Sequence, residues 1–245
     1  MIPKTIHYCW FGRGKMPDLA IRCIASWKKI LPEYEIKEWN EENFDLSLYP
    51  YAEEAYRSRK FAFVTDIVRL YALYTEGGIY MDTDVEVLKP LDPFLVHHAF
   101  SGFESPKYVP TGIMAAEKGS RWAKDNLAYY EGRHFLQGED MDLTTNVEII
   151  TDYMVREYGL RRDNSFQDFP GYVTFYPKEY FCPLNPVTLK LELTERTVTI
   201  HHFMGSWTLK TPVSVSRKWI IQTFGESFYK HLREWKLKFF PKPWK

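Results

Sequence analysis

Short apolar runs and amphipathic stripes alternate along the first half of the chain. Thr5 to Phe11 is a run of aromatic and β-favouring residues closed by Gly12 and Gly14, the pattern of a buried strand. Pro17 and Asp18 open a helix to about Ile30, with Leu19, Ile21, Ile24, Trp27 and Ile30 as its apolar stripe, and Pro32 ends it. Tyr34 to Trp39 alternates apolar and charged positions as a second strand does, so the chain is predicted to begin as a βαβ unit. A short helix is expected near Tyr51 to Arg59. Ala62 to Glu76 then carries Val64, Ile67, Val68, Tyr71 and Tyr74 at helical spacing and stops at Gly77-Gly78. Ile79-Tyr80-Met81 is a brief apolar strand running into Asp82-Thr83-Asp84, and Val85-Glu86-Val87 resumes an extended pattern.

Further strands are predicted at His98 to Phe103, Gly112 to Ala116, Val173 to Tyr176 and Thr197 to His202. Helices are predicted at Ser120 to Arg133, Leu143 to Tyr158 and Val215 to Trp235. The alternation is regular early and mixed later, which makes this an α/β chain without internal repeats. Its 245 residues lie at the upper end of what one core occupies, and no Gly/Ser or Pro-rich linker divides them, so residues 1–245 are expected to form a single domain.

Composition adds little until its distribution is considered. Lys plus Arg and Asp plus Glu are equal at 32 each, so whole-chain charge gives no argument for a nucleic-acid partner. Aromatic residues reach 17%, more than core filling usually takes, and such rings serve either as core or as platforms for bases and sugars. Cys9, Cys23 and Cys182 are too few and scattered for a disulfide scaffold or a Cys-rich metal site. The N-terminus enters a strand-like run directly, and no stretch of about 18 apolar residues occurs, so a reducing cytoplasm is the expected location. The tail at about 229–245 is basic and aromatic, with Trp235, Phe239, Phe240 and Trp244 among its lysines. It suits either packing on the domain with solvated lysines or peripheral contact with the inner face of an anionic membrane.

The candidate chemistry centres on Asp82 and Asp84. Two carboxylates at the end of a strand, pointing the same way on an extended backbone, repel one another unless a positive group lies between them. A hard divalent cation with oxygen ligands fills that role and can carry a nucleotide diphosphate, whereas D-x-D taken alone also occurs in ordinary acidic surface turns, a reading that the apolar Ile79-Tyr80-Met81 before it makes less attractive. Asp66 and Arg69, three apart on the preceding helix, form either a local ion pair or a pair of ligands to sugar hydroxyls and phosphate. In His201-His202-Phe203-Met204-Gly205-Ser206-Trp207, adjacent histidines on an extended backbone face opposite ways, so only one of the two should reach the site, and core packing or surface placement competes with metal ligation for either. Gly12-Arg13-Gly14-Lys15 lacks the spacing of a phosphate loop and reads as a turn.

The segments IPKTIHYCW, FVTDIVRLYALYTEGGIYMDTD and HHFMGSW together resemble the DXD-containing sugar-transferase family. That family includes initiating α-1,6-mannosyltransferases and bacterial capsular or lipopolysaccharide glycosyltransferases, and is related to the cores of clostridial glucosylating toxins. The resemblance implies a GT-A fold, with a central mixed sheet flanked by helices. It also implies a metal-dependent, retaining glycosyltransferase that uses Mn²⁺ or Mg²⁺ and a nucleotide-sugar donor, UDP-sugars favoured, with a growing or lipid-linked saccharide as acceptor. By the same resemblance Asp66 and Arg69 hold the donor sugar, Asp82 meets ribose and metal, and Asp84 is the principal metal ligand. Trp10 stacks on the base, His202 is the metal-binding histidine, and Ser206 and Trp207 lie near the diphosphate. Asp140 and Asn146 are further polar candidates for the sugar. The chain departs from the family pattern at Val64-Thr65, where Ala-Ser is frequent, and at Thr145-Asn146-Val147, where Thr-Gly-Pro is frequent; the second change reshapes a loop on the acceptor side.

Two other readings compete. Strand-Asp-Thr-Asp-Val also opens haloacid-dehalogenase-type phosphatases, but there it stands near the N-terminus rather than behind a βαβ unit. A non-catalytic carbohydrate-binding protein that kept the fold is the second, against which stands the complete set of metal and donor residues.

Overall fold

The computed structural model describes residues 1–204, apart from 111, 139, 187 and 189. β1 (Thr5–Cys9), α1 (Asp18–Ile30) and β2 (Glu35–Trp39) form the expected βαβ unit, with the strands parallel and paired from Thr5↔Glu35 to Cys9↔Trp39. α2 (Pro50–Arg57) and α3 (Phe61–Thr75) lead into β3 (Gly78–Met81), and β4 (Val85–Val87) follows the D-x-D segment. β5 (Ala99–Gly102), β6 (Ile113–Ala116) and α4 (Arg121–Ala128) come next, then the small pair β7 (Leu136–Gln137) and β8 (Asp140–Met141). α5 (Asn146–Tyr158), β9 (Gln167–Phe169), β10 (Val173–Tyr176), α6 (Lys178–Phe181) and β11 (Thr199–His201) complete the described elements.

Seven strands make one mixed sheet in the order β2-β1-β3-β6-β5-β10-β9. β1 runs parallel to both neighbours, whereas β6 is antiparallel to β3 and β5. Side chains alternate between its two faces as strand geometry requires. Ile79, Met81, Ile113 and Ala115 pack with Ile24 and Trp27 of α1, while Tyr80, Met114 and Ala116 pack with Val64, Ile67 and Val68 of α3. A mixed sheet flanked by helices on both faces is therefore present, as the GT-A resemblance implied.

α3 is buried nearly all round, between α2, α4 and the sheet, rather than along one stripe. It ends where Gly77, at φ +72°, sends its N–H back to the Leu73 carbonyl at 3.1 Å. A Cβ there would stand 2.5 Å from the Lys118 backbone nitrogen, so glycine is required by space as well as by conformation.

Several elements differ from expectation. α5 begins three residues later than Leu143, because Thr145 and Glu148 cap it reciprocally: each side chain accepts the other's backbone N–H, both at 3.3 Å. α4 ends at Ala128, and the buried Tyr130 turns its ring onto Tyr51, centroids 5.1 Å apart. The polar strand β9 and the β7–β8 pair were not foreseen. The predicted helix at 215–235 and the basic tail lie outside the described residues. Cys9, Cys23 and Cys182 are free and buried, and among the described residues no helix is long and apolar enough to cross a membrane.

Candidate functional site

Between β3 and β4 the chain leaves the large sheet for a two-stranded one formed with β11. That transfer explains a departure from the expected geometry. Asp82-Thr83-Asp84 is a tight turn, closed by Val85 N–H to the Asp82 carbonyl at 3.0 Å, and not an extended segment with both carboxylates on one rim. β4 is held in its new position by α1, through Trp27 Nε1 donating to the Val85 carbonyl at 2.7 Å and Val87 N–H donating to Ser26 Oγ at 2.9 Å.

The two carboxylates still converge, because β11 lies antiparallel to β4 with His201 opposite Val85. His201 Nε2 is 3.4 Å from Asp84 Oδ1 and 3.9 Å from Asp82 Oδ2. Oxygen or nitrogen donors of Asp82, Asp84 and His201 all lie within 4.8 Å of one another. His202 faces the other way, Nε2 2.9 Å from Glu86 Oε2, so the structure brings His201 into the cluster and leaves His202, the histidine the resemblance pointed to, outside it. The alternation of faces along a strand was sound; its phase depended on the β11–β4 register, which no local pattern reveals.

Each carboxylate has one oxygen secured. Asp82 Oδ1 accepts from Tyr80 Oη at 2.8 Å and meets Arg69 Nη2 at 3.2 Å, which leaves Oδ2 toward His201. Asp84 Oδ2 accepts the Met204 N–H at 2.6 Å, and the Asp84 carbonyl accepts the His202 N–H at 3.0 Å. Burial alone would raise the Asp84 pKa, but the His201 hydrogen bond and charge together with the Met204 N–H outweigh it and hold the carboxyl below its ordinary value. For His201 burial favours the neutral ring, yet acceptance by Asp84 prevails and raises its pKa. These opposed shifts make Asp84 and His201 a mutually attracting pair, which a divalent cation would have to part in order to bind both.

Behind the turn, Asp66 and Arg69 form a buried pair with Arg69 Nη2 3.4 Å from Asp66 Oδ1. Arg69 also reaches Asp82 and lies over the Tyr80 ring at 4.6 Å, so the D-x-x-R helix and the D-x-D turn share one guanidinium. Burial would lower the Arg69 pKa, but Asp82, Tyr80 and Asp66 raise it. Burial pushes Asp66 up to about 6, against the opposing pull of Arg69. Asn146 abuts this pair: its Nδ2 is 3.4 Å from the Asp66 carbonyl, and its Oδ1 is buried without a hydrogen-bond partner. Asp140 is exposed on β8.

Trp10 follows β1 directly, half-buried, with its indole N–H donating to the Gly14 carbonyl at 2.7 Å. Ser206 and Trp207 lie outside the described residues. Sequence reasoning did not single out Glu104 or Gly112. Glu104 Oε2 stands 3.9 Å from His201 Nδ1, and a Cβ on Gly112 would stand 3.0 Å from Asp82 Oδ2 and 3.1 Å from His201 Cε1. The only sequence signal at Gly112 is the glycine itself, ahead of an apolar strand.

Two carboxylates and an imidazole, borderline-to-hard donors with no thiolate among them, fit a divalent cation. Residues 17–101 match the family described as the glycosyltransferase sugar-binding region containing DXD motif. The chain is similar to inositol phosphoceramide mannosyltransferase 3 of Schizosaccharomyces pombe, 33% identical over 122 residues, covering 48% of this chain and 34% of that protein. It is also similar to mannosyl phosphorylinositol ceramide synthase CSH1 of Saccharomyces cerevisiae, 29% identical over 120 residues, covering 47% and 32%. The chain thus spans about a third of the length of these curated relatives. The solved PaToxG glycosyltransferase aligns over 64% of this chain and 70% of its own at 19% identity, with a TM-score of 0.48.

Proposed function

We propose, from the match of residues 17–101 to the glycosyltransferase sugar-binding region containing DXD motif, that the protein is a metal-dependent, retaining glycosyltransferase. It moves a hexose or N-acetylhexosamine from a nucleotide sugar to a saccharide acceptor, with residues 1–245 acting as one catalytic domain. The observation that carries the reading is the convergence of Asp82, Asp84 and His201 in front of the buried Asp66–Arg69 pair.

Asp84, the free oxygen of Asp82 and His201 would hold a divalent cation, which would supply Lewis-acid stabilisation of the charge on the departing diphosphate. Arg69 fixes the second Asp82 oxygen so that the carboxylate does not rotate away. Asp66 accepts hydrogen bonds from hydroxyls of the donor sugar and Trp10 contacts the base, while the diphosphate is assigned to Ser206 and Trp207, which lie outside the described residues. In transfer the anomeric carbon–oxygen bond to the diphosphate breaks and its electron pair leaves with the phosphate. The acceptor oxygen bonds on the same face, and its proton passes to the leaving oxygen. That route asks for no strong protein base.

UDP-sugars remain the favoured donors. The mannosyl transfer in the relatives' names brings GDP-mannose into the same panel, and the inositol phosphoceramide in those names supports a lipid-linked acceptor beside a capsular or lipopolysaccharide glycan. The test is a panel of UDP- and GDP-sugars with Mn²⁺, read by release of nucleoside diphosphate. One donor should be cleaved, and cleavage should vanish with chelation. Release of phosphate from simple phosphoesters, or donor binding without cleavage in the presence of acceptor glycans, would sink the reading. A lipid-linked acceptor also suits a membrane-facing tail. Full-length protein should sediment with anionic liposomes and a chain ending near Phe228 should not; equal recovery in the supernatant removes the tail from the account.

A further inference from the structure

The imidazole of His201 has two nitrogens, and the metal reading uses one of them. A cation held at Nε2 requires the ring proton on Nδ1. In this structure Nδ1 is buried with no hydrogen-bond partner. A buried N–H left in that condition is costly because it loses its water without gaining a partner, so a cation-loaded His201 needs an acceptor on its far side.

We propose that Glu104 is that acceptor, a positioning residue whose carboxylate accepts a hydrogen bond from the Nδ1–H of His201 and so orients Nε2 toward Asp82 and Asp84. Glu104 Oε2 is 3.9 Å from Nδ1, beyond hydrogen-bond reach in this structure, so the inference requires the carboxylate to close on the ring when a cation is held. The side chain is 27% exposed beside a ring that is 9% exposed, so water competes weakly.

Its backbone is fixed from both sides. Glu104 N–H donates to the Tyr108 carbonyl at 2.9 Å, and its own carbonyl accepts from Cys182 Sγ at 3.5 Å. Phe103 N–H donates to the Tyr176 carbonyl at 2.9 Å, which extends the β5–β10 pairing to the residue before it. A side chain on so anchored a backbone can hold a ring in one orientation, as carboxylates behind metal-bound histidines commonly do. The other polar neighbour of the ring is the Cys182 thiol, whose proton is already given to the Glu104 carbonyl and whose sulfur is a weak acceptor.

The inference rests on Asp82, Asp84 and His201 forming a cation site, and the test separates the two. Mn²⁺ affinity is measured by electron paramagnetic resonance titration of the purified full chain without donor, for wild type, Asp84→Ala, Glu104→Gln, Glu104→Met and Cys182→Ala. Both Glu104 variants keep the volume, and thermal unfolding without metal verifies that each folds. Glu104→Met should bind Mn²⁺ about 10–100-fold more weakly, the usual loss for an outer-shell partner. Glu104→Gln, which retains an acceptor oxygen, should recover part of that loss, and donor cleavage at saturating Mn²⁺ should return to within about threefold of wild type in both, on the same principle. Binding by Glu104→Met equal to wild type, while Asp84→Ala has lost it, overturns the role of Glu104 and leaves the cation site standing. Loss in Cys182→Ala without loss in Glu104→Met assigns the ring to the thiol and overturns it also. Unchanged binding in Asp84→Ala refutes the cation site itself.

Discussion

Asp84→Asn should lower donor cleavage at saturating Mn²⁺ by at least about 10²–10³-fold, the scale of losing one preorganised electrostatic contact to developing charge. Asn is the sharper replacement than Ala. It keeps an oxygen for the Met204 N–H and leaves the Asp84 carbonyl on the His202 N–H, so the strap from His201 to Met204 stays in place. What it removes is the charge that His201 and any cation share. The apo protein should therefore keep its fold but melt below wild type, because the buried Asp84–His201 attraction is lost, while both Mn²⁺ binding and cleavage collapse. Retention of more than about a tenth of the wild-type rate, against that expected loss, would falsify the assignment of Asp84 as the principal ligand.

The elements around this aspartate were legible in the sequence for identifiable reasons. β3 is announced by Gly77-Gly78, needed for a positive-φ turn against Lys118, and by the apolar Ile79-Tyr80-Met81, whose alternation serves both faces of a doubly covered sheet. Asp66 and Arg69 fall on one helical face by spacing alone, and the structure finds them paired. The choice between an exposed ion pair and a buried one was not legible, since it depends on α2 and α4 closing over α3.

The rest was hidden in non-local pairing. His201 and His202 are indistinguishable until β11 lies against β4 in the register Thr199↔Val87, more than a hundred residues apart in sequence. Glu104 begins Glu-Ser-Pro-Lys, which reads as a surface loop. Only the Ser105–Tyr108 bridge and the β5–β10 pairing turn its side chain inward toward His201. The D-x-D turn replaces an extended segment because the chain changes sheets there, an event that the local sequence does not record.

Asp66→Asn should stabilise the metal-free fold at neutral pH while lowering transfer by about 10²-fold, the scale of a lost transition-state contact. The Asp66 carboxyl is buried at 9% exposure and its pKa is pushed up to about 6 from an ordinary 3.8, burial outweighing the Arg69 attraction. A folded state that holds a proton more tightly than the unfolded chain loses stability as pH rises. Below about pH 4 both states are protonated and Asp66 contributes nothing to the balance. Between about 4 and 6 the unfolded chain releases its proton first, and above 6 the full penalty persists. Two pKa units correspond to about 3 kcal/mol, an upper figure because Asn gives Arg69 a weaker partner. Arg69 is not stranded by the change, since Asp82 Oδ1 stays 3.2 Å from it. A gain of about 1–3 kcal/mol should raise the melting temperature by several degrees in a chain of this size. Calorimetry of wild type and Asp66→Asn should therefore show a gap that is widest above pH 6 and closes toward pH 4. A variant that melts below wild type at pH 7.5, or a gap independent of pH, would mean that Arg69 needs the Asp66 charge more than burial opposes it. If the gap appears and transfer falls with it, the buried carboxylate is retained for the donor sugar at the expense of the fold, as strained functional groups commonly are.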